Sequence, residues 1–146
     1  MLRILCLLAF ISTAMACNCT QLPPNEAICA ADWVSRVKVI AFHNPYEDDS
    51  GRYDAMYTVE HVHYFKSSHS RNPLPPVFFM PSNEVKCFNL SIGKEYVLAG
   101  TFATNYEPNV LRVSYCDQVT ENQLDGIKEY HSISEALLLS LQTYKC

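Results

Sequence analysis

The chain has 146 residues, the length of one ordinary domain. Hydrophobic residues make up 49% and charged residues 18%, a composition that supports a folded core and excludes a disordered tail. Acidic residues outnumber basic ones by 15 to 11, for a net charge of −4. This balance excludes nucleic acid as a partner, because there is no basic excess to release counterions.

The first sixteen residues have the three parts of a secretory signal peptide. Arg3 supplies a positive start, residues 4–11 are apolar, and residues 14–16 match the A-x-A cleavage pattern. The apolar run is shorter than the roughly 20 residues of a membrane-spanning helix. The sequence therefore predicts a signal peptide over residues 1–16 and a secreted, extracellular domain over residues 17–146, with no membrane association. An uncleaved anchor is the alternative.

The mature part predicts helices at both ends and five strands between them. A proline pair at residues 23–24 opens a helix through Cys29, since proline suits the first turn. Ser132 followed by Glu135 matches a capping box before a helix over residues 136–142. Strands are predicted from β-branched content and alternation at residues 33–42, 53–65, 77–80, 95–102 and 110–115. The expected fold is mainly β with flanking helices, with mostly antiparallel strands in a small closed barrel.

The seven cysteines divide into one and six. Cys6 leaves with the signal peptide, and six cysteines in a secreted chain predict three disulfides. Fifteen pairings are possible, and spacing does not choose among them. A metal site formed by Cys17 and Cys19 with His61 and His63 is the alternative, because a His-Val-His strand places both rings on one face. No coherent nucleophile–base set is visible, so the chain is not expected to be an enzyme.

Three stretches of the mature chain carry a family pattern. Cys17 and Cys19 stand directly after the expected cleavage site. Residues 29–38 read Cys-x-x-Asp-x-Val-x-Arg-x-Lys, and residues 93–100 read Gly-Lys-x-Tyr-x-Leu-Ala-Gly. In these motifs the chain resembles the tissue inhibitors of metalloproteinases, specifically their N-terminal netrin-like (NTR) domain, over residues 17–146.

The resemblance implies an OB-fold-like five-stranded closed barrel stapled by disulfides. It implies a secreted inhibitor of zinc metalloendopeptidases of the matrix metalloproteinase class, a monomer that can also contact extracellular matrix. The resemblance implies a single-domain form, without the second, six-cysteine domain of the vertebrate members. The protein would have no cofactor of its own and would contact the zinc of its target. The implied disulfides are Cys17–Cys87, Cys19–Cys116 and Cys29–Cys146.

By the same resemblance, the inhibitory site is the new N-terminus. The amino and carbonyl groups of Cys17 would bind the zinc of the protease, and Asn18 would enter its S1′ pocket. Residues 83–86 would form a neighbouring ridge, and the loop over residues 43–53 would lie at the rim of the cleft. The implied protease-binding residues are Cys17, Asn18, Cys19, Thr20, Val85 and Lys86.

Asn18 departs from the family pattern, which has Thr or Ser at this position. Asn18 and Asn89 each begin an N-x-S/T sequon, so both are candidates for glycosylation. A glycan on Asn18 would fill the space that the protease must occupy. The alternative function is therefore a non-inhibitory netrin-like interaction module that binds matrix, host or signalling proteins.

Overall fold

A computed structural model describes most of the expected mature domain. The predicted signal peptide and residues 48–49 of the acidic loop lie outside the described residues. Among the helices that are described, none combines the length and apolar character needed to cross a membrane. The described residues are 17–20, 22–47, 50–67, 73–103, 109–121 and 126–146.

In the described residues, three α-helices flank the strands. Helix α1 spans Pro24–Ala30 with a proline in its first turn, as predicted, and helix α2 spans Val85–Phe88. Helix α3 spans Glu135–Thr143. Its N-cap is Ser134, whose hydroxyl accepts a hydrogen bond from the Leu137 backbone N–H at 3.1 Å. The predicted capping box beginning at Ser132 is wrong, because Ser132 ends a separate 3₁₀ turn.

Within the described part of the chain, five strands form one sheet that closes on itself. The first strand pairs antiparallel with the second and fourth, and the second pairs antiparallel with the third. The fifth pairs parallel with the third and antiparallel with the fourth, so every strand has two neighbours. The prediction of a mainly β fold with flanking helices is confirmed. The strands are β1 Trp33–His43, β2 Asp54–Lys66, β3 Val77–Pro81, β4 Glu95–Phe102 and β5 Leu111–Arg112.

Strand β5 is shorter than predicted. The sequence predicts residues 110–115, but only Leu111–Arg112 pair as a strand. Val113 still donates a backbone hydrogen bond to Phe79 at 2.9 Å, after which the chain turns into a 3₁₀ turn at Tyr115–Asp117. This turn carries Cys116, so the strand ends where the chain turns to place Cys116 in its disulfide with Cys19.

Two apolar clusters of described residues hold the fold together. The first lies inside the ring of strands and includes Trp33, Phe78 and Leu98, all fully buried. The second packs α1 and α3 against the outside of the ring through residues such as Ile28 and Leu141. The ring therefore has a core of its own, and the helices add a second one.

His61 and His63 do not share one face. A register shift between β1 and β2 pairs Arg36 with His63 and Val37 with His61, which makes the intervening residue of β2 a bulge. The His61 ring is half-buried against Trp33 in the first cluster, while His63 is exposed. The prediction that both rings face one side is wrong, because a one-residue bulge reverses the alternation.

Candidate functional site

The N-terminal segment, residues 17–20, is neither helix nor strand. Cys17, Asn18 and Thr20 are exposed, and Cys19 is half-buried. The fold thus places this segment at the surface, where a partner can reach it.

Two disulfides hold this exposed segment. Cys17 is bonded to Cys87 and Cys19 to Cys116, and the Cα atoms are 5.4 Å apart in each pair. The third disulfide joins Cys29 at the end of α1 to Cys146. These are the pairs that the family resemblance implies. Cross-links on both sides of Asn18 restrict the segment, which lowers the entropy lost when it binds.

The disulfide to Cys87 places the segment beside the predicted ridge. A 3₁₀ turn, Ser82–Glu84, leads directly into α2. Lys86 is exposed, whereas Val85 is half-buried and packs against the first apolar cluster. Lys86 therefore presents more of its side chain to a partner than Val85 does. Contact of either residue with a protease stays a prediction.

Asn89 ends α2 in the left-handed conformation, with φ of 49°. Its backbone N–H donates to the Val85 carbonyl at 3.2 Å, and its side chain is exposed. Asn18 is exposed as well. Both sequons are therefore accessible, and glycosylation at each stays a prediction.

The described part of the 43–53 loop lies against the turn that leads into α2. The Gly51 N–H donates to Ser82 Oγ at 3.1 Å, and the Ser82 N–H donates to the Tyr53 carbonyl at 3.0 Å. Gly51 has φ of +82°, and a Cβ atom there would lie 2.6 Å from Asn83 Oδ1. A glycine is thus needed for the loop to approach this closely.

Glu84 lies inside the protein rather than on the predicted ridge. It is 8% exposed, and its Oε1 accepts hydrogen bonds from Ser114 Oγ at 3.1 Å and from the Tyr115 N–H at 3.2 Å. Its Oε2 is buried and has no hydrogen-bond partner among the described residues. The local sequence gives no sign of this position, because both donors lie about 30 residues away.

Gln118 is a second buried side chain that the sequence does not reveal. Its amide exchanges two hydrogen bonds with the backbone of Ala99, at 2.9 and 2.8 Å, and also donates to the Ser114 carbonyl at 2.7 Å. These bonds attach the turn that carries Cys116 to strand β4. The anchor of Cys19 is therefore fixed to the ring of strands.

The alternative metal site is not formed. Cys17 and Cys19 are bonded to other cysteines, so neither supplies a thiolate ligand. In the part of the chain that the structure describes, no three His, Cys, Asp or Glu side chains are grouped to hold a metal ion.

The fold and site define a small disulfide-stapled β domain that presents its N-terminal segment beside a short helix. The model of the tissue inhibitor of metalloproteinase family matches residues 15–136, and the chain belongs to this family. It is 29% identical over 156 aligned residues to a Caenorhabditis elegans protein named "Putative metalloproteinase inhibitor tag-225". That alignment covers 99% of this chain and 97% of the relative. Members of the family are inhibitors, which confirms the prediction that the chain is not an enzyme.

Proposed function

We propose that the mature protein begins at Cys17 and inhibits zinc metalloproteinases by binding the catalytic zinc through the amino and carbonyl groups of that residue. Family membership supports the inhibitory role. The observation that carries the mechanism is the N-terminal segment itself: Cys17 is exposed, yet its side chain is fixed to Cys87. A zinc ligand on the main chain needs both exposure and a fixed position.

The chemistry of an α-amino group suits this role. Its reference pKa is about 7.7–8.0, so it loses its proton at modest cost near neutral pH and can donate a lone pair. A catalytic zinc keeps one coordination position for the attacking water. A ligand supplied by Cys17 would displace that water. Because the amino group exists only after cleavage before Cys17, removal of residues 1–16 would also activate the inhibitor.

Several further properties belong to this proposal. We infer that the closed ring of strands is the OB-type barrel of the netrin-like domain, and that the protein is a secreted, extracellular monomer. Three disulfides are consistent with an oxidising compartment. Proteases of the matrix metalloproteinase class are the proposed targets, with Asn18, Thr20 and Lys86 beside Cys17 in the contact surface.

The decisive experiment adds one alanine before Cys17. The protein starting at Cys17 and the extended protein are compared by their inhibition constants against a matrix metalloproteinase. We expect at least about 100-fold weaker inhibition from the extended protein, since a zinc contact of about 2.7 kcal/mol or more is lost. A third protein with one alanine added after Cys146 has the same extra residue away from the site and should inhibit like the first.

Intact mass and N-terminal sequencing accompany the assay, so that cleavage before Cys17 and all disulfides are verified. Equal inhibition by the unextended and N-terminally extended proteins would refute zinc binding by the amino group. Absence of inhibition by a correctly processed, unglycosylated protein would favour the interaction module instead.

Asn18 gives the alternative its specific support, because it is exposed, departs from the family pattern and begins a sequon. Two variants separate these features. Asn18→Gln removes the sequon alone, and Asn18→Thr also restores the residue type of the family. Inhibition that appears in both variants but not in the secreted wild type would assign the block to a glycan. Inhibition that appears only in Asn18→Thr would assign it to the side chain.

A further inference from the structure

The two disulfide partners of the N-terminal segment lie on different parts of the chain. Cys87 belongs to the helical segment formed by Ser82–Glu84 and α2, and Cys116 belongs to the Tyr115–Asp117 turn. Cys17 and Cys19 are only two residues apart. Any movement of one anchor relative to the other therefore changes the shape of the segment between them.

Glu84 connects these two anchors directly. It stands three residues before Cys87, and its Oε1 accepts hydrogen bonds from Ser114 Oγ at 3.1 Å and from the Tyr115 N–H at 3.2 Å. Tyr115 is the residue before Cys116. The two disulfides, the segment between Cys17 and Cys19, and these hydrogen bonds together form a closed cycle.

A second contact between the anchors is less directional. The rings of Phe88 and Tyr115 meet edge to face, with centroids 5.5 Å apart. An aromatic contact tolerates sliding better than a hydrogen bond does, because hydrogen bonds weaken steeply with angle. The hydrogen bonds of Glu84 therefore restrict the relative position of the two anchors more than the aromatic pair does.

The environment of Glu84 also argues for a positional role. Its Oε2 is buried and has no hydrogen-bond partner among the described residues. A buried carboxylate with an unsatisfied oxygen is unfavourable for stability by itself. An apolar side chain would avoid this cost but would leave the Tyr115 N–H and the Ser114 hydroxyl without their acceptor, so what the carboxylate adds is the link between the two anchors.

We propose that Glu84 is a positioning residue for the inhibitory N-terminus: it fixes Cys87 relative to Cys116 and thereby fixes the geometry of Cys17 and Asn18. This inference rests on the proposed function for its effect on inhibition. Its effect on the two disulfides does not depend on any target.

Two substitutions at Glu84 separate the acceptor from the charge. Glu84→Gln keeps an oxygen at the position of Oε1, whereas Glu84→Leu keeps the approximate volume and removes the acceptor. We expect Glu84→Leu to inhibit a matrix metalloproteinase about tenfold less well than wild type, and Glu84→Gln to stay within about threefold. Ser35→Ala is the matched control, because the buried Ser35 hydroxyl bonds His61 in the ring and contacts neither anchor.

Partial reduction gives a readout that needs no protease. Each protein is exposed briefly to a mild reductant, free thiols are alkylated, and the modified cysteines are mapped by mass spectrometry. In Glu84→Leu we expect Cys17–Cys87 and Cys19–Cys116 to be reduced faster than in wild type, relative to Cys29–Cys146. In Glu84→Gln and Ser35→Ala the three rates should keep their wild-type ratios.

The two readouts distinguish failure of this inference from failure of the proposed function. If wild type inhibits but Glu84→Leu inhibits equally well, or if the three reduction rates keep their ratios, the positioning role is overturned. If wild type does not inhibit while the reduction pattern changes as expected, the positioning role stands and the proposed function fails. Should Glu84→Leu not fold, Ser114→Ala removes one of the two donors and is expected to show the same changes at smaller size.

Discussion

The N-terminal segment and the ring of strands are stabilised in different ways. The ring buries apolar side chains such as Trp33 and Phe78 around its own centre, and each strand pairs with two others. Residues 17–20 have no regular secondary structure and mostly exposed side chains. They are attached through disulfides to Cys87 and Cys116, and Glu84 links the two chain segments that carry these cysteines.

This difference indicates how a surface segment can be both exposed and rigid. Hydrophobic burial cannot fix a segment that must contact a partner, because burial would hide the atoms that bind. Covalent cross-links fix such a segment through its cysteine side chains and leave its main-chain atoms free to contact a partner. Changes to the ring should therefore alter stability with little effect on inhibition, whereas changes at the disulfide anchors should alter inhibition as well as stability.

Removal of whole disulfides should give the largest effects. Cys17→Ser/Cys87→Ser and Cys29→Ser/Cys146→Ser open loops of 70 and 117 residues, and each should cost about 4–5 kcal/mol of unfolding free energy. Only the first pair should also weaken inhibition by about tenfold or more, because only it frees the N-terminal segment. Urea unfolding and inhibition constants measure the two effects. Equal loss of inhibition in both double variants would contradict the proposed separation.

Phe78→Ala tests the ring alone. Phe78 is fully buried in the first cluster, so its truncation should lower the unfolding free energy by about 3–5 kcal/mol. The folded fraction should inhibit as wild type does, because Phe78 lies in β3 and not in either segment that anchors the N-terminal segment. Leu139→Ala, at a side chain 58% exposed on α3, is the control and should change stability by less than about 0.5 kcal/mol. A large loss of inhibition by folded Phe78→Ala would show that the two regions are coupled.

Gly51→Ala tests the loop beside the anchors. We expect a loss of about 1–3 kcal/mol, since alanine is strained at φ of +82° and its Cβ would meet the Asn83 side chain. Gly93→Ala is the matched control, because Gly93 has φ of +86° but open space around its Cβ position. The difference between the two unfolding free energies measures the contact with Asn83. No difference would mean that the loop moves away at no cost.

The smallest effect should come from His61. Burial lowers the pKa of its imidazole below the usual 6.5, against a raising effect of the Pro75 carbonyl. The unfolded chain then binds a proton more readily than the folded protein, so stability is present above about pH 6.5 and is lost as pH falls through the folded pKa. His61→Gln should flatten the pH dependence of the unfolding free energy below about pH 6.5. An unchanged slope would assign the dependence to other groups.

The sequence predicts the strands well where alternation is regular. The predicted bounds of β1 to β4 agree with the structure within about one residue at each end, because β-branched and apolar positions recur with period two. The errors occur where tertiary contacts decide. Strand β5 ends early as the chain approaches Cys116, and the bulge between His61 and His63 reverses the faces of the two rings.

Some features of the site can likewise be predicted from the sequence, and others depend on contacts that form only on folding. The Cys-x-Cys start and the sequons are local patterns, and the family resemblance supplies a pairing that spacing alone does not. Glu84 and Gln118 carry no local signal, because each acts on backbone groups that only folding brings near. The loop contact through Gly51 is hidden for the same reason, although glycine itself indicates a turn.

The order of the cysteines along the chain has a consequence for biosynthesis. Three half-cystines fall within residues 17–29, and their partners follow 70, 97 and 117 residues later. A ribosome therefore delivers three neighbouring thiols long before any correct partner, and early oxidation can only join them to one another. Native pairing can be complete only after Cys146 has been made, and a disulfide isomerase should speed maturation in proportion to the mispaired species formed before then.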